Sequence, residues 1–315
     1  MRILVIGAAG MIGQKLLPAL SNFSSVVLHD VVAPKVLPGM KAVVSDLSVP
    51  GEAEKLLIER PDLIFHLAAI VSGEAEADFD KGYRINLDGT RYLFEAIRKV
   101  GKGYKPRVVF TSSIAVFGAP FPSAIGDEFF HTPLTSYGTQ KAIGELLLSD
   151  YSRRGFFDGV GIRLPTICVR PGKPNRAASG FFSGIIREPL AGQEAILPVE
   201  ESVRHWHASP RAAIGFLIHA SKINTELLGT RRNLSMPGVS VTVGEQIAAL
   251  RKVAGDKVAA LIRRQPDPVI MKIVEGWPRN FDPRRALELG FRAEDSFERI
   301  IRIHMEDELG VRSSA

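Results

Sequence analysis

The sequence predicts an α/β protein: a doubly wound parallel sheet with a smaller, interleaved C-terminal substrate lobe. Three observations predict it. Short continuous apolar runs alternate with helical stretches through the first half of the chain. A turn with regularly spaced glycines follows the first run directly. Beyond about residue 164 the alternation gives way to a segment rich in Pro and Gly, and then to separate helices.

The apolar runs at residues 3–6, 26–28, 42–44, 63–67, 108–111 and 160–164 are short and rich in Val, Ile and Leu. Such runs suit strands buried on both faces. Helical periodicity at 11–21, 51–60, 83–100 and 136–151 separates them. Strand–helix alternation of this kind builds a parallel, Rossmann-type sheet covered on both sides, with ligands at the carboxyl ends of its strands. Residues 165–205 read as loops around short helices, 210–221 as a helix and 232–236 as one more strand. Residues 240–254 and 296–309 read as helices of the smaller lobe. The expected division gives residues 1–164, with a return segment at about 205–236, to the sheet-bearing domain. It gives 165–204 and 237–315 to the smaller lobe, with the active site between the two.

The 315 residues are 45% hydrophobic and 23% charged, ordinary values for a globular enzyme. No run approaches the roughly 20 apolar residues of a membrane helix. The N-terminus runs from a strand straight into a glycine turn rather than through a signal-peptide core. A cytoplasmic protein with no membrane partner is expected. Lys and Arg number 40 against 34 Asp and Glu, a net charge of +6. That excess is scattered rather than gathered into a basic arm, so no nucleic-acid partner is expected, and a small anionic substrate suits it. Cys168 is the single cysteine, which excludes an internal disulfide and a multi-cysteine metal site. It sits in an apolar stretch and reads as a small buried hydrophobe.

Gly7-Ala8-Ala9-Gly10-Met11-Ile12-Gly13 joins the first strand to the first helix. Gly7 permits the tight turn, Gly10 lets a pyrophosphate approach the backbone, and Gly13 allows close helix–strand packing. The helix N-terminus, at Met11 and Ile12, offers its N–H groups to the phosphates. Asp30 ends the second strand about 20 residues on, where a carboxylate accepts hydrogen bonds from the ribose hydroxyls. It would repel a 2′-phosphate, and no arginine follows it directly, so NAD is expected rather than NADP.

The Gly-x-x-Gly-x-x-Gly spacing resembles the fingerprint of extended short-chain dehydrogenases, a superfamily that includes nucleotide-sugar epimerases and dehydratases. Later stretches follow in that superfamily's order. Asp46-Leu47 resembles the pair that brackets adenine. His66-Leu67-Ala68-Ala69 resembles the turn after the fourth strand, whose small residues let the backbone approach the nicotinamide ribose. Asn86-Leu87-Asp88-Gly89-Thr90 resembles a helix motif whose asparagine supports the central strand and the site geometry. The resemblance implies that Asn86, Pro165 and Ile167 join the cofactor-binding set.

Tyr137-Gly138-Thr139-Gln140-Lys141 opens the helix at 136–151. Residues four apart share a helix face, so both side chains reach one place. A free tyrosine, with a pKa near 10, is mostly neutral at neutral pH. A nearby ammonium favours the phenolate and makes a usable general base. In enzymes this chain resembles, the lysine also bonds the nicotinamide ribose. Phe110-Thr111-Ser112-Ser113 resembles the strand end that carries the superfamily's catalytic hydroxyl. Ser113 takes that role by alignment to Gly118, Ser112 is the alternative, and a plain strand-end turn is the structural one. Tyr137 and Ser113 would then both touch the substrate hydroxyl.

Arg204-His205-Trp206-His207-Ala208-Ser209-Pro210-Arg211 departs from the sugar-nucleotide relatives, which have an aspartate where Arg211 stands. Thr166 stands where many of them have asparagine. The intervening region is compact, which favours a small substrate. Candidate substrate contacts are Ser72, Thr166, Arg170, Lys173, Asn175, Arg176, Ser179, Arg204 and His207. An arginine matches a carboxylate bidentately. His205 and His207 flank Trp206, but no third ligand lies at a convincing spacing and hydride transfer needs no metal, so none is expected.

The stretches HLAAIVSGEAEADFDKGYRIN, RLPTICVRPGKPN and VRHWHASPRAA, with Phe281-Asp282-Pro283, resemble the D-erythronate dehydrogenases over nearly the whole chain. The resemblance implies NAD-dependent oxidation of a small sugar acid at C2. A nucleotide-sugar epimerase or dehydratase is the alternative, and a non-catalytic NAD-binding protein a further one. Relatives also pair through the helices at 83–100 and 136–151, so a homodimer is expected.

Overall fold

The computed structural model describes residues 1–172 and 178–311. Its strands, in chain order, are β1 (Arg2–Ile6), β2 (Ser25–Asp30), β3 (Met40–Val44), β4 (Leu63–His66), β5 (Arg107–Ser113), β6 (Asp158–Leu164), β7 (Thr166–Ile167), β8 (Ala195–Leu197), β9 (Arg204–Ala208), β10 (Asn233–Ser235), β11 (Val239–Thr242) and β12 (Ile262–Arg264). The chain divides into two compact units. The first holds Met1–Val116, Thr135–Leu164 and Ile214–Ser235; the second holds the described residues of Phe117–Leu134, Pro165–Ala213 and Met236–Ala315.

The first unit carries seven strands in the order β10-β6-β5-β4-β1-β2-β3, every pair parallel. Its central strands β1, β4 and β5 are almost wholly buried, whereas the edge strand β3 is largely exposed. Leu4, Ile6, Ile64, Val108 and Phe110 pack with Leu93, Phe94 and Ile97 of the helix Gly89–Val100. Each such side chain contributes about 1.5–3 kcal/mol on burial. The chain leaves β1 for β2 and β3 on one side, then returns to β4 on the other. That reversal opens a crevice outside the carboxyl ends of β1 and β4.

Two helices of this unit differ from the sequence expectation. The helix expected at 51–60 is only Glu52–Leu56. Arg60, at φ 47°, precedes Pro61, and the residue before proline disfavours the helical region. The stretch 83–100 begins as a π-helical turn, Tyr83–Asp88, before the α-helix Gly89–Val100. The wider turn coincides with an inward-facing Asn86, 2% exposed.

The second unit has a three-stranded sheet, β11-β9-β7, and a two-stranded one, β12-β8. Phe182, Ile185, Ile186, Leu250, Phe297 and Ile300 are among its core residues. Three expectations change here. Residues 204–208 do not return to the first sheet but form β9, paired with β11 and β7. Residues 117–134 belong to this unit, because Ile125 bridges Phe281 and the Phe117 ring lies 5.9 Å from that of Phe281. The helix expected from 240 starts at Val243, since residues up to Thr242 pair with β9 and a Thr242–Glu245 capping box begins the helix. Cys168 is fully buried, as its apolar setting implied, and burial pushes its thiol up to about 12. No helix among the described residues is long and apolar enough to cross a membrane.

Candidate active site

The turn after β1 is built for the absence of side chains. Gly7 has φ 87°, and a Cβ there would lie 2.4 Å from Ala68 N. A Cβ on Gly13 would lie 2.5 Å from Gly7 O. Both contacts are far inside van der Waals range, so only glycine brings β1, the turn after β4 and the first helix this close. Gly10 is exposed, and the helix Met11–Leu20 has neither a side-chain cap at Gly10 nor an acidic residue in its first turn. The N–H groups there form a positive helix end, and Met11 and Ile12 beside them are half-buried. Asp30 lies against this turn, with Oδ2 accepting from Ala9 N at 2.8 Å and Oδ1 from Val31 N at 2.7 Å.

Asp46 and Leu47 follow β3. The Asp46 carboxylate accepts from Ser48 N at 2.9 Å and from Arg84 Nη1 at 2.7 Å. Burial opposes its charge, but the Ser48 and Arg84 hydrogen bonds together hold its pKa below the usual value. Leu47 is buried. Leu67, Ala68 and Ala69 are half-buried at the carboxyl end of β4. His66, just before them, is buried and neutral, its pKa pushed down to about 3 by burial.

The Asn86 amide is taken up by protein partners. Its Oδ1 accepts from Ile70 N at 2.9 Å, and its Nδ2 donates to Ile70 O at 3.2 Å and to Gln140 Oε1 at 2.7 Å. Every polar atom of this buried amide is committed to protein. It fixes the chain after β4 to the helix Ser136–Arg153 and so positions other residues. Gln140, which the sequence reading passed over, is its partner and is fully buried.

Tyr137 and Lys141 stand one turn apart on that helix, whose N-cap Thr135 accepts from Gly138 N at 3.1 Å. The ammonium lies 5.9 Å from the Tyr137 ring centroid and 4.9 Å from that of Phe110, and donates to Thr111 O at 2.8 Å. Lys141 is buried. Desolvation lowers its pKa to about 8, with Glu145 opposing the shift. It is therefore still largely an ammonium at neutral pH, one helical turn from Tyr137.

The choice between Ser112 and Ser113 follows from Glu145. Ser112 is buried and its hydroxyl donates to Glu145 Oε1 at 2.5 Å. Glu145 is also held by the buried Arg163, whose Nη2 lies 2.7 Å from Oε2. Ser113, half-buried at the end of β5, accepts from Ala115 N at 3.1 Å, and among the described residues its hydroxyl proton is not given to a protein acceptor. Of the two serines, Ser113 is the one whose hydroxyl is not given to Glu145. The Ser112–Glu145–Arg163 network was also missed from sequence. Its signal was a glutamate four residues after Lys141, on the same helix face.

The substrate candidates divide. Ser72, half-buried, opens the helix Ser72–Ala77. Pro165 and Ile167 are buried, and Thr166 between them is half-buried. Arg170 Nη2 donates to Ser179 Oγ at 2.8 Å, which brings these two together. Arg204 donates to Ser240 O at 2.9 Å and lies 3.1 Å from a Glu245 oxygen, so its charge is already balanced. Lys173, Asn175 and Arg176 lie outside the described residues. His207 is a correction. It is fully buried and neutral, desolvation carrying its pKa well below 6.5. It packs against Phe182 and Phe297 and lies 3.0 Å from Gln246 Nε2. A side chain with no accessible surface cannot touch a substrate.

The chain is 47% identical to a D-erythronate dehydrogenase from Cupriavidus necator over 98% of each chain. It is 41% identical to a D-erythronate dehydrogenase from Haemophilus influenzae over 97% of this chain and 99% of that one. A solved structure from Agrobacterium tumefaciens, described as a nucleoside-diphosphate-sugar epimerase, is 68% identical. It matches with a TM-score of 0.96 over 98% of this chain and 95% of that one. Residues 3–213 match the NAD dependent epimerase/dehydratase family. That span runs from β1 beyond the end of β9 and takes in every strand of the parallel sheet but β10, and on it the chain belongs to the NAD dependent epimerase/dehydratase family.

Proposed function

We propose that the protein is an NAD-dependent dehydrogenase that oxidises a small sugar acid at C2, D-erythronate to 2-oxo-erythronate. The observation that carries this is the near-full-length identity of 47% to a D-erythronate dehydrogenase, in a chain that keeps Tyr137, Lys141 and a free Ser113 hydroxyl. The residues present fit a dinucleotide: Gly7 and Gly13 leave a cradle that a Cβ would fill. The uncapped helix end suits its phosphates, and Asp30 its ribose. When bound, NAD accepts the hydride from the substrate carbon. Ser113 donates to the oxygen of the C2 hydroxyl and holds it through the change to carbonyl. Tyr137, as phenolate, takes the hydroxyl proton. The Lys141 ammonium lowers the cost of that phenolate. Arg170, set by Ser179, is the group for the substrate carboxylate.

The test is NADH formation by the purified protein with NAD and a panel of four- to six-carbon aldonates, UDP-sugars serving as contrast. Turnover on one short aldonate is expected. The 68%-identical neighbour described as an epimerase favours a second reading, which predicts conversion of a UDP-sugar without net NADH and silence on every acid. Specificity for NAD rests on Asp30. Asp30→Ala is expected to weaken NAD about 10-fold, the loss of charge-assisted hydrogen bonds worth about 1.5 kcal/mol, and to narrow the NAD-to-NADP ratio of kcat/KM. An unchanged ratio would remove the ribose assignment.

A further inference from the structure

Two consecutive residues pin the helix Ser136–Arg153 from different directions. Successive helical side chains point about 100° apart around the axis, so Gln140 and Lys141 reach different neighbours. Lys141 Nζ donates to Thr111 O, on β5, at 2.8 Å. Gln140 is fully buried and turns instead to Asn86 and the chain that follows β4. The direction of that link is fixed. Ile70 N can only donate, so the Asn86 atom it meets at 2.9 Å is Oδ1. Both Nδ2 protons are then used, one on Ile70 O at 3.2 Å and one on the Gln140 amide at 2.7 Å. The Gln140 atom there must accept, so it is Oε1. The backbone leaves room for this amide: a Cβ on Gly82 would lie 2.8 Å from Gln140 Nε2 and 3.2 Å from Ala75 O. Bonds in two directions set both the height and the rotation of the helix. Tyr137 stands three residues before one of them and four before the other. Positions three and four apart share a helix face, so the rotation that these bonds set is the one that aims Tyr137.

We propose that Gln140 is a positioning residue that acts through Asn86, setting the helix of Tyr137 and Lys141 against the turn formed by Leu67, Ala68 and Ala69, and so the phenol against the nicotinamide end of the cofactor. This rests on the dehydrogenase reading above, in which that turn approaches the nicotinamide ribose. Asn86 by itself holds the turn, because two of its bonds go to Ile70, the next residue. The Gln140 bond lies outside that grip and joins the turn to the helix. Its loss therefore leaves the cofactor held and the phenol displaced. The substrate gives up a hydride and a proton from one C–H and O–H unit, so both acceptors must stand in place together. Such orientation carries a large share of a reaction barrier. A buried Asn86 proton left without an acceptor adds to the cost of breaking the link.

The experiment takes wild type, Gln140→Leu and Gln140→Glu through two measurements. A fluorescence titration counts the NAD sites and gives their Kd. Stopped-flow formation of NADH with saturating D-erythronate gives the first-turnover rate per NAD site. In Q140L that rate should fall about 10-fold, the scale of one lost hydrogen bond, while the number of sites and the Kd for NAD stay within about twofold of wild type. A residue that only stabilised the fold would lower the number of sites and leave the rate per site unchanged. Q140E keeps an oxygen facing Asn86 Nδ2 and should recover most of the rate. A wild-type rate per site in Q140L overturns the assignment, as does a Q140E no faster than Q140L. A Kd for NAD that rises as much as the rate falls overturns it too, because Gln140 would then be holding the cofactor turn. If Q140L does not fold, Q140S, too short to reach Asn86, decides in its place. A wild type that reduces no NAD with D-erythronate or any other short aldonate overturns the dehydrogenase reading and this assignment with it. A wild type that turns over while Q140L matches it overturns the assignment alone.

Discussion

Tyr137→Phe is expected to lower kcat by about 10²–10⁴-fold, the range that positioned proton transfer contributes, with NAD affinity unchanged. The substitution keeps the ring and removes only the oxygen. Lys141 retains its bond to Thr111 O, and the Asn86–Gln140 link that fixes this helix to the chain after β4 does not involve Tyr137. The turn around Gly7 and Asp30 is likewise untouched. Steady-state kinetics paired with a fluorescence titration of NAD would separate the two effects. Normal turnover would mean that another group takes the proton. A parallel loss of NAD affinity would mean that the phenol holds the cofactor rather than the substrate.

The parts of the site that sequence makes legible are those where one local constraint dictates the residue. Gly7 and Gly13 can be read because nothing but glycine fits where Ala68 and Gly7 O approach. Tyr137 and Lys141 can be read because four residues make one helical turn. Ser112 and Ser113 are different. Successive strand residues point to opposite faces, and sequence alone does not say which face holds Glu145. The histidines of β9 show the same limit. Arg204 to Ala208 alternates, and period two would have disclosed a strand with His205 and His207 on one side. Their neutrality, however, is made by burial, against rings such as Phe182 that are distant in the chain. Residues 117–134 join the second unit for a comparable reason, the bridge from Ile125 to Phe281. Local pattern predicts elements; which element buries a given polar group depends on partners that the pattern does not name.

Lys141→Met is expected to move activity and stability in opposite directions. Activity should fall by at least the 10²-fold scale of general-base catalysis, because the Tyr137 phenolate loses its ammonium. Stability should rise at neutral pH. The lysine pKa is 10.5 when solvated and about 8 in the fold, lowered by burial. Between those values the unfolded chain binds more protons than the folded one, so stability increases with pH across that window. Below pH 8 the fold holds a buried ammonium at a cost on the order of 3 kcal/mol, the difference of about 2.5 pKa units at 1.36 kcal/mol each. Methionine fills the same volume without charge. It forgoes the hydrogen bond to Thr111 O, typically worth about 0.5–1.5 kcal/mol, so the cost of the charge outweighs it. The melting temperature of K141M should exceed that of wild type at pH 7, and the gap should close as pH rises past 8 towards 10. A gap that narrows in this way marks a charge kept for chemistry at the expense of the fold. Melting curves that stay parallel across the same range would mean that Lys141 is solvated and that its charge costs the fold nothing.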